Sequence, residues 1–319
     1  MVTSEWPDPA HPNWVPFLVE QVTSLKNAGV DVRVFSFRGA KNPWNYMKAW
    51  LRLHELIKTG QYDLIHAQYG QSGLIALPRR LPLVVTFHGS DLMGDTDHRG
   101  RYTLPGRILV VLSKLVSHYA DSIIVAANHL GRKLPGGTQY HIIPTGLDLE
   151  RFRPINMNEA REELNLPKNK KIILFGGRPE MSVKRYFLAR KTISLLQQDQ
   201  VELLTVSNAP HEQMPLYLNA ADVLLLTSRH EGSPTIIKEA LACNLPIVST
   251  DVGDVRERIG SIAGCMVCDD DRPEIIAASL RTILARDQPI NGRTTVEDFD
   301  EKRLTQTVIS IYQHALVRA

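Results

Sequence analysis

Arg229-His230-Glu231-Gly232-Ser233-Pro234-Thr235-Ile236-Ile237-Lys238-Glu239-Ala240-Leu241-Ala242 follows an apolar run at residues 222–226, and together they read as one strand, a tight loop and a helix. Gly232, Ser233 and Pro234 make the turn. Pro is favoured in a first helical turn, and the apolar spacing predicts a helix over 235–242. Glu231 and Glu239 stand eight positions apart, one before this helix and one about a turn inside it. Backbone N–H groups at a helix start, with the positive end of its dipole, attract phosphate. Carboxylates do not bind phosphate; they accept hydrogen bonds from hydroxyls, as an acidic side chain does with ribose in dinucleotide sites. The layout fits a ligand with a diphosphate in the middle and a sugar at each end.

The same alternation extends outward in both directions. Strand candidates in the first half are residues 30–37, 62–67, 83–87, 122–126 and 140–143, and in the second half 171–175, 201–206, 222–226, 246–249 and 264–267. Amphipathic segments fill the gaps, the pattern of parallel sheets covered by helices on both faces. At 319 residues two domains are expected. Pro154, Pro167 and the polar run 168–171 bracket the connection, so the expected division is 1–160 and 161–299. Leu304, Val308, Ile311, Tyr312 and Ala315 recur at helical spacing in a closing helix within 300–319. Open sheets of this kind bind ligands outside the carboxyl ends of their strands, where His88, Arg178 and Glu231 fall.

The quoted stretch resembles the family 4 retaining glycosyltransferases of GT-B fold, and so do other parts of the chain. These are Thr86-Phe87-His88-Gly89-Ser90-Asp91-Leu92, Ile143-Pro144-Thr145-Gly146-Leu147-Asp148 with Arg151-Phe152, Phe175-Gly176-Gly177-Arg178 with Lys184, and Asn244 to Gly253. The resemblance implies two Rossmann-like domains facing a central cleft, with a closing helix that returns to the first. It implies a nucleotide-sugar donor linked through UDP or GDP, a saccharide or lipid-linked saccharide acceptor, and no metal or other cofactor. Arg178 and Lys184 would clamp the diphosphate, a role that suits a guanidinium fork and a compact ammonium. Glu231 would face the donor sugar, Glu239 the ribose, and Gly232, Ser233, Pro234 and Thr235 the phosphates, although Pro234 has no N–H to give. His88 is expected on the donor sugar. Asp91 reads either as an acceptor contact or as a cap for the residues from Leu92 onward.

Related enzymes carry a glycine-rich loop after the first strand, where this chain has Pro7-Asp8-Pro9-Ala10-His11-Pro12-Asn13-Trp14. Asn13 is expected to cap the following helix and to lie on the acceptor side. Met1 to Ser4 reads as the tail of a first strand. No carboxylate is singled out as the nucleophile of a double displacement, and the resemblance implies front-face substitution, in which the leaving phosphate takes the acceptor proton. A GT-B epimerase or hydrolase and a silent nucleotide-sugar-binding subunit remain as alternatives.

Charge and composition narrow the rest. A net charge of +3 makes no case for nucleic acid. Residues 1–155 hold 17 Lys and Arg against 12 Asp and Glu, and the remainder 20 against 22, so the first half is mildly basic. No run of about 18 apolar residues occurs, and a cytoplasmic protein is expected, with peripheral contact at the inner membrane face as the one exception. Trp44, Tyr46, Met47, Trp50, Leu51 and Leu53, interleaved with Lys41, Lys48 and Arg52, fit an interfacial helix, but a packed core face explains the same pattern and is the favoured reading. Cys243, Cys265 and Cys268 read as buried thiols, Asp269-Asp270-Asp271 as a solvated helix entry, and Arg185 as an outward-facing neighbour of Lys184.

Overall fold

In a computed structural model that describes residues 1–40, 42–94, 101–196, 200–206, 209–286 and 288–318, the apolar runs form two wholly parallel sheets. Contacts divide the chain into two units, Met1–Gly146 with Glu301–Ala319, and Leu147–Asp300. The first holds β1 (Val2–Thr3), β2 (Phe35–Ser36), β3 (Ile65–Gln68), β4 (Leu83–Phe87), β5 (Ser122–Val125) and β6 (His141–Ile142), in the order β2-β1-β3-β4-β5-β6. The second holds β7 (Lys171–Phe175), β8 (Val201–Leu204), β9 (Val223–Leu226), β10 (Ile247–Thr250) and β11 (Met266–Cys268), in the order β11-β10-β9-β7-β8. In each sheet the strand order reverses beside its first strand. Each unit therefore has a switch point, between β1 and β3 and between β7 and β9, where the strand ends leave a crevice.

Side chains alternate across β4 as the period of two requires: Leu83, Val85 and Phe87 enter one core, and Val84 enters the core on the opposite face. The second core is closed by Val308, Ile311, Tyr312 and Ala315 of the helix Glu301–Arg318, which packs on Leu25 of the helix Pro16–Asn27. Thr305 Oγ1 donates to Ser24 Oγ at 2.7 Å. In the second unit the helices Tyr186–Ser194 and Pro273–Leu284 cover one face through Leu188, Ala189, Ile276 and Leu280.

Two expectations need correction. The division falls after Gly146 rather than near residue 160, because the segment between is tied to the second unit. Ile155 N–H donates to Asn219 Oδ1 at 2.8 Å, Asn219 Nδ2 donates to Arg153 O at 3.0 Å, and Arg293 Nη2 donates to Leu149 O at 2.6 Å. The strand expected over 30–37 is only Phe35–Ser36, since β1 offers it just Val2 and Thr3 as partners. The helix Pro43–Thr59 divides its apolar residues between two environments. Ala49 and Leu53 are buried, and Tyr46 and Trp50 pack against the same core, while Trp44, Met47 and Leu51 face outward. Lys41, expected beside them, lies outside the described residues. No helix among the described residues is long and apolar enough to cross a membrane.

Candidate functional site

At the carboxyl end of β7, Gly176 and Gly177 lead into a loop that holds Arg178 and ends in a short turn, Ser182–Lys184. A Cβ on Gly177 would stand 2.8 Å from the Lys184 stem, so the missing side chain is what lets that stem cross the loop. Lys184 Nζ pairs with Glu231 Oε1 at 2.6 Å, and Ser228 Oγ donates to the same oxygen at 2.5 Å. Both members of the pair are mostly buried, with 17% and 16% of their side chains exposed. A cation from the β7 end and a carboxylate from the β9 end thus meet at the switch point of the second unit.

Arg185 was expected to face outward and does the opposite. Its backbone is left-handed at φ 52°, which turns the side chain inward to 7% exposure. There Nε donates to Thr227 O at 2.7 Å and Nη2 to Ser228 O at 3.1 Å, while Nη1 pairs with Asp271. Thr227 Oγ1 in turn donates to Lys184 O at 2.8 Å. The two loops are sewn together by a residue whose type alone gave no sign of it. Asp271 is thereby a partner of Arg185, Asp269 of Arg256 and Asp270 of Arg272.

The helix Thr235–Ala242 begins after Pro234 with no side-chain cap on its first N–H groups, and Ile237 N–H donates to Pro234 O at 3.1 Å. Ser233 Oγ is bonded to Asp254 at 2.9 Å, which leaves Ser233 its backbone as the group to offer. Gly253, at φ +60°, packs so tightly that a Cβ would sit 2.5 Å from Gly232 O. Glu239 is 4% exposed and pairs through Oε1 with His211 Nε2 at 2.8 Å. His211 lay in a segment with no strand or motif signal, and only the fold brings it to Glu239.

In the first unit His88 follows β4, with its ring 4.7 Å from Tyr69 and 5.2 Å from Phe17. Its Nε2 donates to Gln68 Oε1 at 2.8 Å, and Gln68 Nε2 donates to Gln21 Oε1 at 2.8 Å. Behind Gln68, His66 lies between Tyr312 OH and Thr86 Oγ1, each at 2.7 Å. Burial, with the nearby amino-terminal charge of Met1 adding to it, pushes the His66 pKa down to about 3. Asp91 is fully buried and points at backbone: Gly89 N–H at 2.9 Å, Gly70 N–H at 3.2 Å and His88 N–H at 3.3 Å all donate to it. Asp91 does not cap the residues from Leu92 onward, because the amides that donate to it come before it, at the ends of β3 and β4. Burial raises its pKa to about 6, against the pull of those amides. Asn13 does not cap the next helix. That helix starts at Pro16, and its cap position is Val15 at φ 41°, with no side-chain cap.

A cavity of 1020 Å³ opens in the first unit between the helices Pro43–Thr59 and Leu104–Ser117. No group of three metal-ligating side chains occurs among the described residues. Burial raises the Cys243 thiol to about 12 and Cys265 to about 11, which keeps both protonated.

Two parallel, doubly wound α/β units with ligand-type residues at their switch points define a GT-B architecture. Residues 1–151 match the model described as Glycosyltransferase Family 4, and residues 157–286 the model described as Glycosyl transferases group 1. The chain belongs to this glycosyltransferase family. TuaC of Bacillus subtilis, named for teichuronic acid biosynthesis, is 28% identical over 226 residues. That match takes in 62% of this chain, which spans 55% of the relative's length. The sucrose-phosphate synthase of Thermosynechococcus elongatus has the same fold, with a TM-score of 0.81 at 18% identity over 95% of this chain and 94% of that one. Anabaena Alr3699/HepE, solved with UDP and glucose, superposes with a TM-score of 0.69 at 15% identity over 98% of each chain.

Proposed function

We propose that this chain transfers a sugar, with retention at the anomeric carbon, from a UDP- or GDP-linked donor to a saccharide or lipid-linked saccharide acceptor, without a metal. The observation that carries the reading is the Lys184–Glu231 pair at 2.6 Å beside an uncapped helix start at the second unit's switch point. A diphosphate there meets Lys184, Arg178 and the amides around Ser233 and Thr235. Once Lys184 turns to phosphate, Glu231 keeps Ser228 and gains room for a sugar hydroxyl. Glu239, with His211 behind it, suits the ribose. His88 of the first unit is assigned a sugar hydroxyl, with its ring held by Gln68.

In the reaction the bond from the anomeric carbon to the β-phosphate oxygen breaks, and its electron pair leaves with the phosphate. The acceptor oxygen bonds to the same face of that carbon, and its proton passes to the departing phosphate oxygen. Negative charge grows on the diphosphate, so Arg178 and Lys184 stabilise the transition state more than the ground state. The UDP and glucose in Alr3699/HepE support a uridine donor, and the naming of TuaC supports a place in polysaccharide or glycoconjugate synthesis. A thermal-shift series with UDP, GDP and their sugar conjugates tests the reading, because a ligand of the folded state raises the melting temperature. The expected result is a shift with one base that is lost in Glu239→Ala. No shift with any nucleotide overturns it.

A further inference from the structure

We infer that the acceptor is an anionic amphiphile whose apolar chain lies in the cavity of the first unit; this rests on the transferase reading and adds the acceptor's chemistry. The cavity has two ends of different character. Met47, Trp50, Leu74, Ile108, Leu109 and Leu112 form an apolar wall, while Ser4, Glu5, Arg38, Gln71 and Ser90 supply the polar lining. Its volume of 1020 Å³ is that of a site for a sizeable organic ligand.

The polar groups are placed for a head group. Ser4 follows β1, Gln71 lies just beyond β3, and Ser90 is two residues past His88, all at the carboxyl ends of the strands. Two of these residues keep a buried polar atom without a hydrogen-bond partner among the described residues, Arg38 Nη1 and Gln71 Oε1. The first suits an anionic oxygen and the second a hydroxyl. The rest of the Arg38 guanidinium is fixed, by Asp8 Oδ2 at 2.6 Å and by stacking 3.9 Å from the Trp14 ring. Tyr69 links this end to His88, since its hydroxyl donates to Glu5 at 3.2 Å and its ring lies 4.7 Å from the imidazole. A head group held here is therefore next to the residue assigned to the sugar.

The mouth carries the complementary signal. Met47 on one helix and Ile108 on the other, both in the cavity lining, are 52% and 51% exposed. An apolar opening that leads to a polar end holding Arg38 favours an apolar chain with a negative head over a bare sugar, which would leave the wall wet.

Tryptophan fluorescence reads the cavity directly, because Trp14 and Trp50 line it. The probe is a terminally brominated long-chain fatty acid, below its micelle concentration, added to the full chain. Saturable quenching is expected, weakened about tenfold in Met47→Glu/Ile108→Glu, whose changes fall on half-exposed positions that tolerate a charge. The brominated alcohol of equal length, which lacks the charge for Arg38, is expected to bind about tenfold more weakly than the acid. No saturable quenching, quenching unchanged in the double variant, or equal binding of alcohol and acid overturns the inference. UDP thermal shifts on the same samples separate the two readings. A retained shift without quenching removes the amphiphile alone, and quenching without any nucleotide shift removes the transferase reading.

Discussion

Asp91→Asn should expose a cancellation between two buried groups that hold His88 in place. Asp91 titrates near 6 in the folded unit against 3.8 in a free carboxyl, and His66 near 3 against 6.5. Between about pH 4 and 6 folded Asp91 keeps a proton that the unfolded chain has released, so its contribution is present below that window and is lost as pH rises through it. His66 has the opposite sign. Unfolded, it takes up a proton below its ordinary value; folded, it refuses one, so stability is lost as pH falls from about 6.5 towards 3. Each slope is about 1.4 kcal/mol per pH unit, and in the shared window they offset each other. The asparagine removes the first slope. It also loses an acceptor for at least one of the three amides, but that loss is the same at every pH. The variant is expected to lose about 2 kcal/mol relative to wild type on going from pH 6 to pH 4. Urea unfolding followed by tryptophan fluorescence reports this unit by itself, because Trp6, Trp14, Trp44 and Trp50 all belong to it. Other carboxyls drop out of the difference between the two proteins. Wild-type and variant curves that stay parallel from pH 4 to pH 6 would refute the argument.

Three further outcomes can be checked. Lys184→Ala should lower turnover about 10²- to 10³-fold, as loss of one donor to a developing anion does elsewhere, with little change in melting temperature; nucleotide release measures it, and unchanged turnover removes Lys184 from the diphosphate. Arg185→Ala strips two buried carbonyls of their donor and should cost about 2 kcal/mol, or about 4–8 °C in a scan of the second unit's transition. An undiminished melting temperature would mean that the Thr227 and Ser228 carbonyls find other donors. Gly253→Ala forces a methyl against Gly232 O at a positive φ and should weaken nucleotide affinity by displacing the Glu231–Gly232 backbone; isothermal titration with the nucleotide that shifts the wild type is the check.

The fold was legible because parallel strands buried on both faces read as short apolar runs, and β4 and β7 coincide with the runs at 83–87 and 171–175. The helix at 235–242 was legible too, since a Gly-Ser-Pro turn and the apolar spacing agree on where it begins. Edge strands were less so. β2 and β6 are two residues long, and their length is set by what a neighbour offers rather than by their own composition. The division of the chain was misplaced because prolines mark bends, whereas membership of a unit is decided by long-range anchors such as Ile155 to Asn219.

The site shows the same contrast at the level of single side chains. Charged residues that follow a strand end could be found from sequence, because the position after a parallel strand is where such sheets bind ligands. The residues that hold them could not. Arg185 became a brace by adopting a left-handed backbone, His211 by a fold that carries it to Glu239, and Gln68 by facing His88 from the neighbouring strand. Each sits in sequence where a bland role costs nothing, and each gains its role from a partner 20 to 42 positions away. If this division is general to the chain, substitutions at the braces should change stability together with affinity. Substitutions at Lys184 and Arg178, whose charge acts on the ligand, should change turnover and leave the fold intact.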